Sequence, residues 1–87
     1  METGSIRTAR LLVPDVGMPG APIAVSLWLV PEAADVVAGE RVVELVCGAA
    51  TIDLEAPVTG RLVRQLVDED DVVTPGTALA EFAAAAE

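Results

Sequence analysis

The sequence has no lysine, no histidine and no tyrosine, and its 87 residues include one cysteine, one tryptophan and one phenylalanine. Each absence excludes a kind of chemistry. Without histidine there is no side chain whose ordinary pKa lies near neutrality for general acid–base work, and without lysine no side-chain primary amine. The single cysteine cannot form an internal disulfide, which fits a reducing compartment. Five arginines stand against fourteen acidic residues, a net charge of −9, so the basic footprint expected of a protein that binds nucleic acid or an anionic membrane is missing. The longest uncharged run, Val16 to Pro31, is interrupted by Met-Pro-Gly-Ala-Pro and falls short of the roughly 18 apolar residues that span a bilayer. No secretory signal is visible at the N-terminus, and the expected location is cytoplasmic. A chain of this length forms one domain with one core, burying roughly 60% of its unfolded surface.

What is present is short-period apolar alternation. Ile23, Val25, Leu27 and Leu29 alternate with Ala24, Ser26, Trp28 and Val30, and Ile52, Leu54 and Ala56 alternate with Thr51, Asp53 and Glu55. Both runs read as half-buried strands, the polar set facing water. Gly or Pro recurs too often for helices of ordinary length. In the tail, Leu79 and Phe82 resume the apolar pattern as a last strand, and the terminal alanines read as the start of a linker. The pattern predicts an all-β meander.

The chain also repeats itself. A shift of 37 places Leu29-Val30 on Leu66-Val67, Glu32 on Glu69, Val36 on Val73, Gly39 on Gly76, Glu44 on Glu81 and Leu45 on Phe82. Each half carries a strand, an acidic turn, a valine, a glycine turn and another strand. Neither half can bury its apolar face alone. The two are therefore expected to pack as small antiparallel sheets about an approximate two-fold axis, giving a flattened β-barrel or sandwich.

From "LLVPDVGMPG" through "SLWLV", "VVAGERVVEL", "ATIDLEAPVTGRL" and "VVTPGTALAEF", the chain resembles a lipoyl domain of the 2-oxoacid dehydrogenase acyltransferases. "VPDVG" and Ala50-Thr51 favour this branch over the biotinyl one. The resemblance places a lipoyl-like domain at residues 10–83, an extension at 1–9 and the start of a linker at 84–87. It implies a carrier in which a lysine at a hairpin tip bears a swinging arm that moves acyl groups between active sites. Here the sequence departs from the family. Counting back from Ala56-Pro57, Val46, Cys47, Gly48 and Ala49 replace the family's Glu-Thr-Asp-Lys, so Ala49 takes the lysine position and Cys47, Gly48 and Ala50 complete the tip. Alanine offers a methyl group where an amide link to lipoate or biotin needs an amine. The expectation is no lipoate and no biotin. Ala33-Ala34 and Asp70-Asp71 likewise replace the Gly-Asp usual at the two acidic turns, leaving the turn shapes open.

Other residues carry competing readings. Cys47 is an acyl acceptor in one and an incidental small residue in the other; the second is simpler, because no base or cation that would activate the thiol is in sight. Asp68 to Asp71 reads as a solvated turn rather than a metal loop, since adjacent carboxylates point in different directions. Gly17, Pro19 and Gly20 read as turn residues rather than a phosphate cradle, having neither a helix start nor a basic neighbour. Trp28 reads as a packing residue ahead of a recognition hot spot.

Three function classes follow. The first is a non-catalytic docking or structural module, in one form the N-terminal part of an acyltransferase-like protein, with an acyltransferase or dehydrogenase component as partner. The second is a free-standing protein that binds an enzyme recognising lipoyl domains, and the third a carrier working through Cys47. For docking, Glu44, Asp53 and Glu55 beside the tip are the expected contacts, meeting Arg or Lys of the partner. The acidic surface favours a monomer.

Overall fold

The computed structural model describes residues 7–16 and 20–85. Eight strands follow one another: β1 (Thr8–Leu12), β2 (Ile23–Trp28), β3 (Asp35–Val36), β4 (Arg41–Cys47), β5 (Ala50–Glu55), β6 (Gly60–Gln65), β7 (Val72–Val73) and β8 (Ala78–Ala84). They form two antiparallel four-stranded sheets, ordered β1-β8-β6-β3 and β5-β4-β2-β7. The all-β sandwich expected from the alternation is the observed fold. Gly17 and Pro19 lie outside the described residues; Gly20 occupies a turn at φ +85°.

The 37-residue repeat is the symmetry of the fold. β2, β3 and β4 recur 37 residues later as β6, β7 and β8, with identical bounds after the shift. The sheets map onto each other in the same order, β5 of one corresponding to β1 of the other. Even the irregularities repeat. A bulge between Val25 and Leu27 in the β2–β4 ladder has its counterpart between Leu62 and Arg64 in the β6–β8 ladder.

That bulge corrects the simple alternation. Ile23 and Val25 are buried as expected, but Leu27 and Leu29 are 45% and 41% exposed, while Trp28 and Val30 pack against the core. The extra residue at a bulge reverses which side of the sheet each later side chain faces. Strand pairing also involves residues at both ends of the described chain. Thr8 and Ala9 pair with Ala83 and Phe82, and the Ala85 N–H donates to the Thr59 carbonyl at 2.8 Å, so both flanks join the pairing. Small residues such as these leave little periodic signal.

The core lies between the sheets and is built from symmetry-related pairs: Val25 and Leu62, Val36 and Val73, Val42 and Leu79, Leu45 and Phe82. No polar side chain is buried with them among the described residues. Each such aliphatic or aromatic side chain contributes about 1.5–3 kcal/mol through burial.

The connectors that cross between sheets are held by reciprocal backbone bonds. After β2 the chain passes to the other sheet, where the Ala33 N–H donates to the Leu62 carbonyl at 2.7 Å and the Leu62 N–H to the Ala34 carbonyl at 2.9 Å. After β6 the Asp70 N–H donates to the Val25 carbonyl at 2.7 Å and the Val25 N–H to the Asp71 carbonyl at 2.9 Å. This geometry requires a left-handed residue in each connector, and Ala33 and Asp70 supply it at φ 73° and 75°. These are the positions where the resembling family carries glycine. Gly39 and Gly76 take the same region at φ 92° and 89° in the symmetry-related turns before β4 and β8. Gly60 serves another purpose: a Cβ there would be driven into the Ala83 carbonyl of the neighbouring strand.

Ala33→Gly should therefore raise the urea midpoint, worth about 1 kcal/mol, because an L-residue in the left-handed region costs about 1–2 kcal/mol and glycine's extra unfolded-state freedom returns part of it. Asp70→Gly should gain less, since aspartate tolerates that region better. A loss of stability in Ala33→Gly would contradict the strain assigned to the turn. Gly60→Ala should cost about 3 kcal/mol or more, since the clash is with backbone and the backbone must move. Thermal melting would read both effects, and an unchanged melting temperature for Gly60→Ala would show that the strands do not approach as described.

Candidate functional site

The β4–β5 hairpin is closed by the two-residue turn Gly48-Ala49 between paired Cys47 and Ala50. Gly48 has φ 62° and Ala49 an ordinary negative φ, the signs of a type II′ turn, in which glycine takes the first central position. Such turns match the twist of the strands they join, so the loop is short because its residues allow it. Both central residues are exposed, and Ala50 is half-buried. The turn presents no functional side chain.

Cys47 belongs to the core instead. Its side chain is fully buried, and its Sγ lies 3.8 Å from the Ala21 carbonyl oxygen. The alternation of β4 puts Leu45 and Cys47 inward and Glu44 and Val46 outward, so proximity to the tip in sequence does not make the thiol accessible. An acyl donor cannot reach it in the folded state.

The three acidic residues expected beside the tip do meet on one face. Glu44 lies opposite Asp53 across the β4–β5 ladder, and Arg41 opposite Glu55. Asp53 pairs with Arg41 at 3.3 Å. Neither Glu44 nor Glu55 forms a salt bridge among the described residues, so this face carries three carboxylates for one guanidinium. Carboxylates directly opposite each other repel, which the Arg41 contact offsets in part. The outer face of the other sheet is balanced differently: Arg10 pairs with Glu81 at 3.4 Å, Arg61 with Asp35 at 3.6 Å, and Arg64 stands opposite Glu81. Charge thus divides the two sheets, the acidic face going with the hairpin.

The Asp68–Asp71 run is a tight turn. The Asp68 N–H donates to Asp71 Oδ2 at 2.8 Å, and the Asp71 N–H to the Asp68 carbonyl at 3.1 Å. No group of three or more His, Cys, Asp and Glu residues able to hold a metal ion occurs among the described residues. Among the described residues, no helix is long and apolar enough to cross a membrane.

A cleft of about 630 Å³ opens beside Trp28, bounded by Leu29 to Pro31 and, from the second half of the chain, Gln65, Asp68 and Glu69. The half-buried Trp28 donates its Nε1–H to the Val67 carbonyl at 3.2 Å, and its backbone N–H to Glu69 Oε2 at 2.9 Å. Sequence reading reached Trp28 but missed its neighbours, which lie about 40 residues away in the chain and meet it only because the halves cross. The 37-residue repeat was the available signal, since it aligns Trp28 with Gln65.

Comparison with known proteins places this geometry in a family. No curated protein matches the chain at a significant level. Among solved structures, it is similar to part of a single-chain, multi-domain long-chain acyl-CoA carboxylase, with a TM-score of 0.75 and 29% identity over 92% of this chain. The match spans 7% of that protein's length. The family model described as "biotin-requiring enzyme", the biotin/lipoyl type, matches residues 10–82, nearly the whole described fold, and the chain belongs to that family.

Proposed function

We propose that this domain is a non-carrying member of the biotin/lipoyl family: a non-catalytic docking or structural module of a larger acyl-transferring or carboxylating assembly. The observation that carries the reading is the tip itself. A short hairpin holds Gly48-Ala49 out in solvent where the family presents an amine, and the sequence has no lysine anywhere. Biotin and lipoate are attached through an amide to a primary amine; Ala49 has only a methyl group to offer. The frame around the tip is otherwise intact, with a paired hairpin and a filled core beneath it.

The similar acyl-CoA carboxylase supports a multi-domain setting, and the motifs quoted above support an acyltransferase or dehydrogenase one. In either setting the partner is a protein. The Glu44, Asp53 and Glu55 face suits a basic surface on that partner, lying roughly 10 to 16 Å below the tip at the usual rise per strand residue. A free-standing protein that binds an enzyme recognising lipoyl domains would use the same face. The thiol-carrier alternative is disfavoured by the burial of Cys47.

Co-expression with a lipoate ligase and lipoate, or a biotin ligase and biotin, followed by intact mass, tests the reading. The natural chain should gain no mass, whereas Ala49→Lys, on an exposed turn residue with an unstrained φ, should be modified in part by one of the two ligases. A lipoyl or biotinyl increment on the natural chain would overturn the proposal. Lack of modification on Ala49→Lys would mean the tip has lost more than its lysine. For the thiol, an aromatic disulfide reagent should react with Cys47 at least roughly 100-fold more slowly in buffer than in denaturing urea, because attack requires opening of the core. Equal rates would return Cys47 to consideration as a carrier.

A further inference from the structure

The two-fold repeat provides an internal comparison for Trp28. Its counterpart is Gln65, and the two make equivalent contacts. The Trp28 indole N–H donates to the Val67 carbonyl at 3.2 Å, and the Gln65 side-chain N–H to the Val30 carbonyl at 3.0 Å. Trp28's backbone N–H is received by Glu69 at 2.9 Å, and Gln65's by Glu32 at 2.8 Å. A glutamine therefore makes the same hydrogen bonds at this position. The indole ring of Trp28 adds packing against the core, and its exposed part lies at the wall of the cleft beside Leu29.

The charge around that ring has one sign. Asp68 and Glu69 line the cleft, and no cationic side chain does. Arg10, Arg41 and Arg61 are engaged with Glu81, Asp53 and Asp35, and Arg64 stands opposite Glu81 on the β6–β8 ladder. Aromatic rings partly withdrawn from water are the usual anchors of protein recognition, and carboxylates at the rim select the charge of what approaches.

We propose that the Trp28 cleft is a docking site for a basic, aliphatic-rich segment of a partner protein, one that lays a leucine-like side chain against the indole and directs Arg or Lys at Asp68 and Glu69. The fit rests on charge complementarity: a chain of net charge −9 has an aromatic-walled cleft whose only charged lining groups are carboxylates. The cleft lies about 16 Å from the hairpin tip, five strand positions along β2, so docking there does not depend on whether the tip carries a group.

Trp28 is the only tryptophan, so its fluorescence reports on the cleft directly. The probe is the peptide acetyl-Leu-Arg-Leu-Arg-Leu-amide, titrated into the natural chain. A saturable change in Trp28 emission is expected, and Asp68→Asn with Glu69→Gln, which keeps the oxygen that accepts the Trp28 N–H, should weaken binding roughly threefold or more. Asp35→Asn with Glu81→Gln removes the same charge from the outer face of the other sheet, away from both acidic surfaces, and should leave affinity unchanged. Trp28→Gln copies the hydrogen bonds found at Gln65; it should stay folded with a lowered melting temperature, because the indole's packing against the core is lost, and should lose the peptide-induced amide shifts seen by NMR. The proposal is overturned by the absence of saturation, by equal weakening in the two charge-neutralised pairs, by equal binding of acetyl-Leu-Glu-Leu-Glu-Leu-amide, or by undiminished binding in Trp28→Gln. Should Trp28→Gln unfold, the Asp68→Asn/Glu69→Gln pair still decides.

Discussion

The reciprocal hydrogen bonding of the two crossing connectors is the constraint on which the rest of this small fold depends. Each connector leaves one sheet and is received by a central strand of the other, through Leu62 in one case and Val25 in the other. Those two residues are themselves fully buried and related by the two-fold axis. Backbone groups so close to the core must be paired, since an unpaired one would cost about 1–3 kcal/mol. The left-handed turns at Ala33 and Asp70 are what allow the pairing. The fold keeps this geometry even with non-glycine residues in place, which indicates that the two reciprocal bonds of each connector and the packing around them outweigh local strain of about 1–2 kcal/mol.

Once the connectors fix the sheets, the hairpin has little freedom. β4 is central in its sheet, paired with β2 on one side and β5 on the other, and its inward residues are locked in the core. The turn at Gly48-Ala49 is therefore held out at the end of a rigid ladder. A family that transfers groups needs such a mount, because a cofactor at its tip must reach partner sites while the domain stays folded. In this chain the mount persists, and in the function proposed above it carries no cofactor. The same register that exposes Ala49 draws Cys47 inward, so the thiol close to the tip packs in the core.

The distribution of charge gives the domain two unlike outer faces. Arg10, Arg61 and Arg64 gather on one sheet, while Glu44, Asp53 and Glu55 gather beside the hairpin on the other. Exposed pairs of this kind contribute little to stability. Charge of one sign on an outer face acts mainly on approach, repelling like surfaces and steering opposite ones. The Trp28 cleft adds apolar contact to the same electrostatic preference at a separate place.

The sequence by itself determined the strand periodicity, the repeat, the biotin/lipoyl family and the absence of lysine, because each is a property of residue type and spacing. Alternation in Thr51 to Ala56 sorted the inner from the outer face of β5 correctly, since that strand keeps its phase throughout. Tertiary structure decided the rest. The bulge after Val25 turned Leu27 and Leu29 outward, and only the pairing of β2 with β4 shows where the extra residue falls. Whether Cys47 faced solvent depended on the register of β4, in which a single step would have exchanged core for surface. The cleft beside Trp28 was beyond local reading altogether. Its walls come from both halves of the chain, and they meet because the connectors exchange sheets about the two-fold axis.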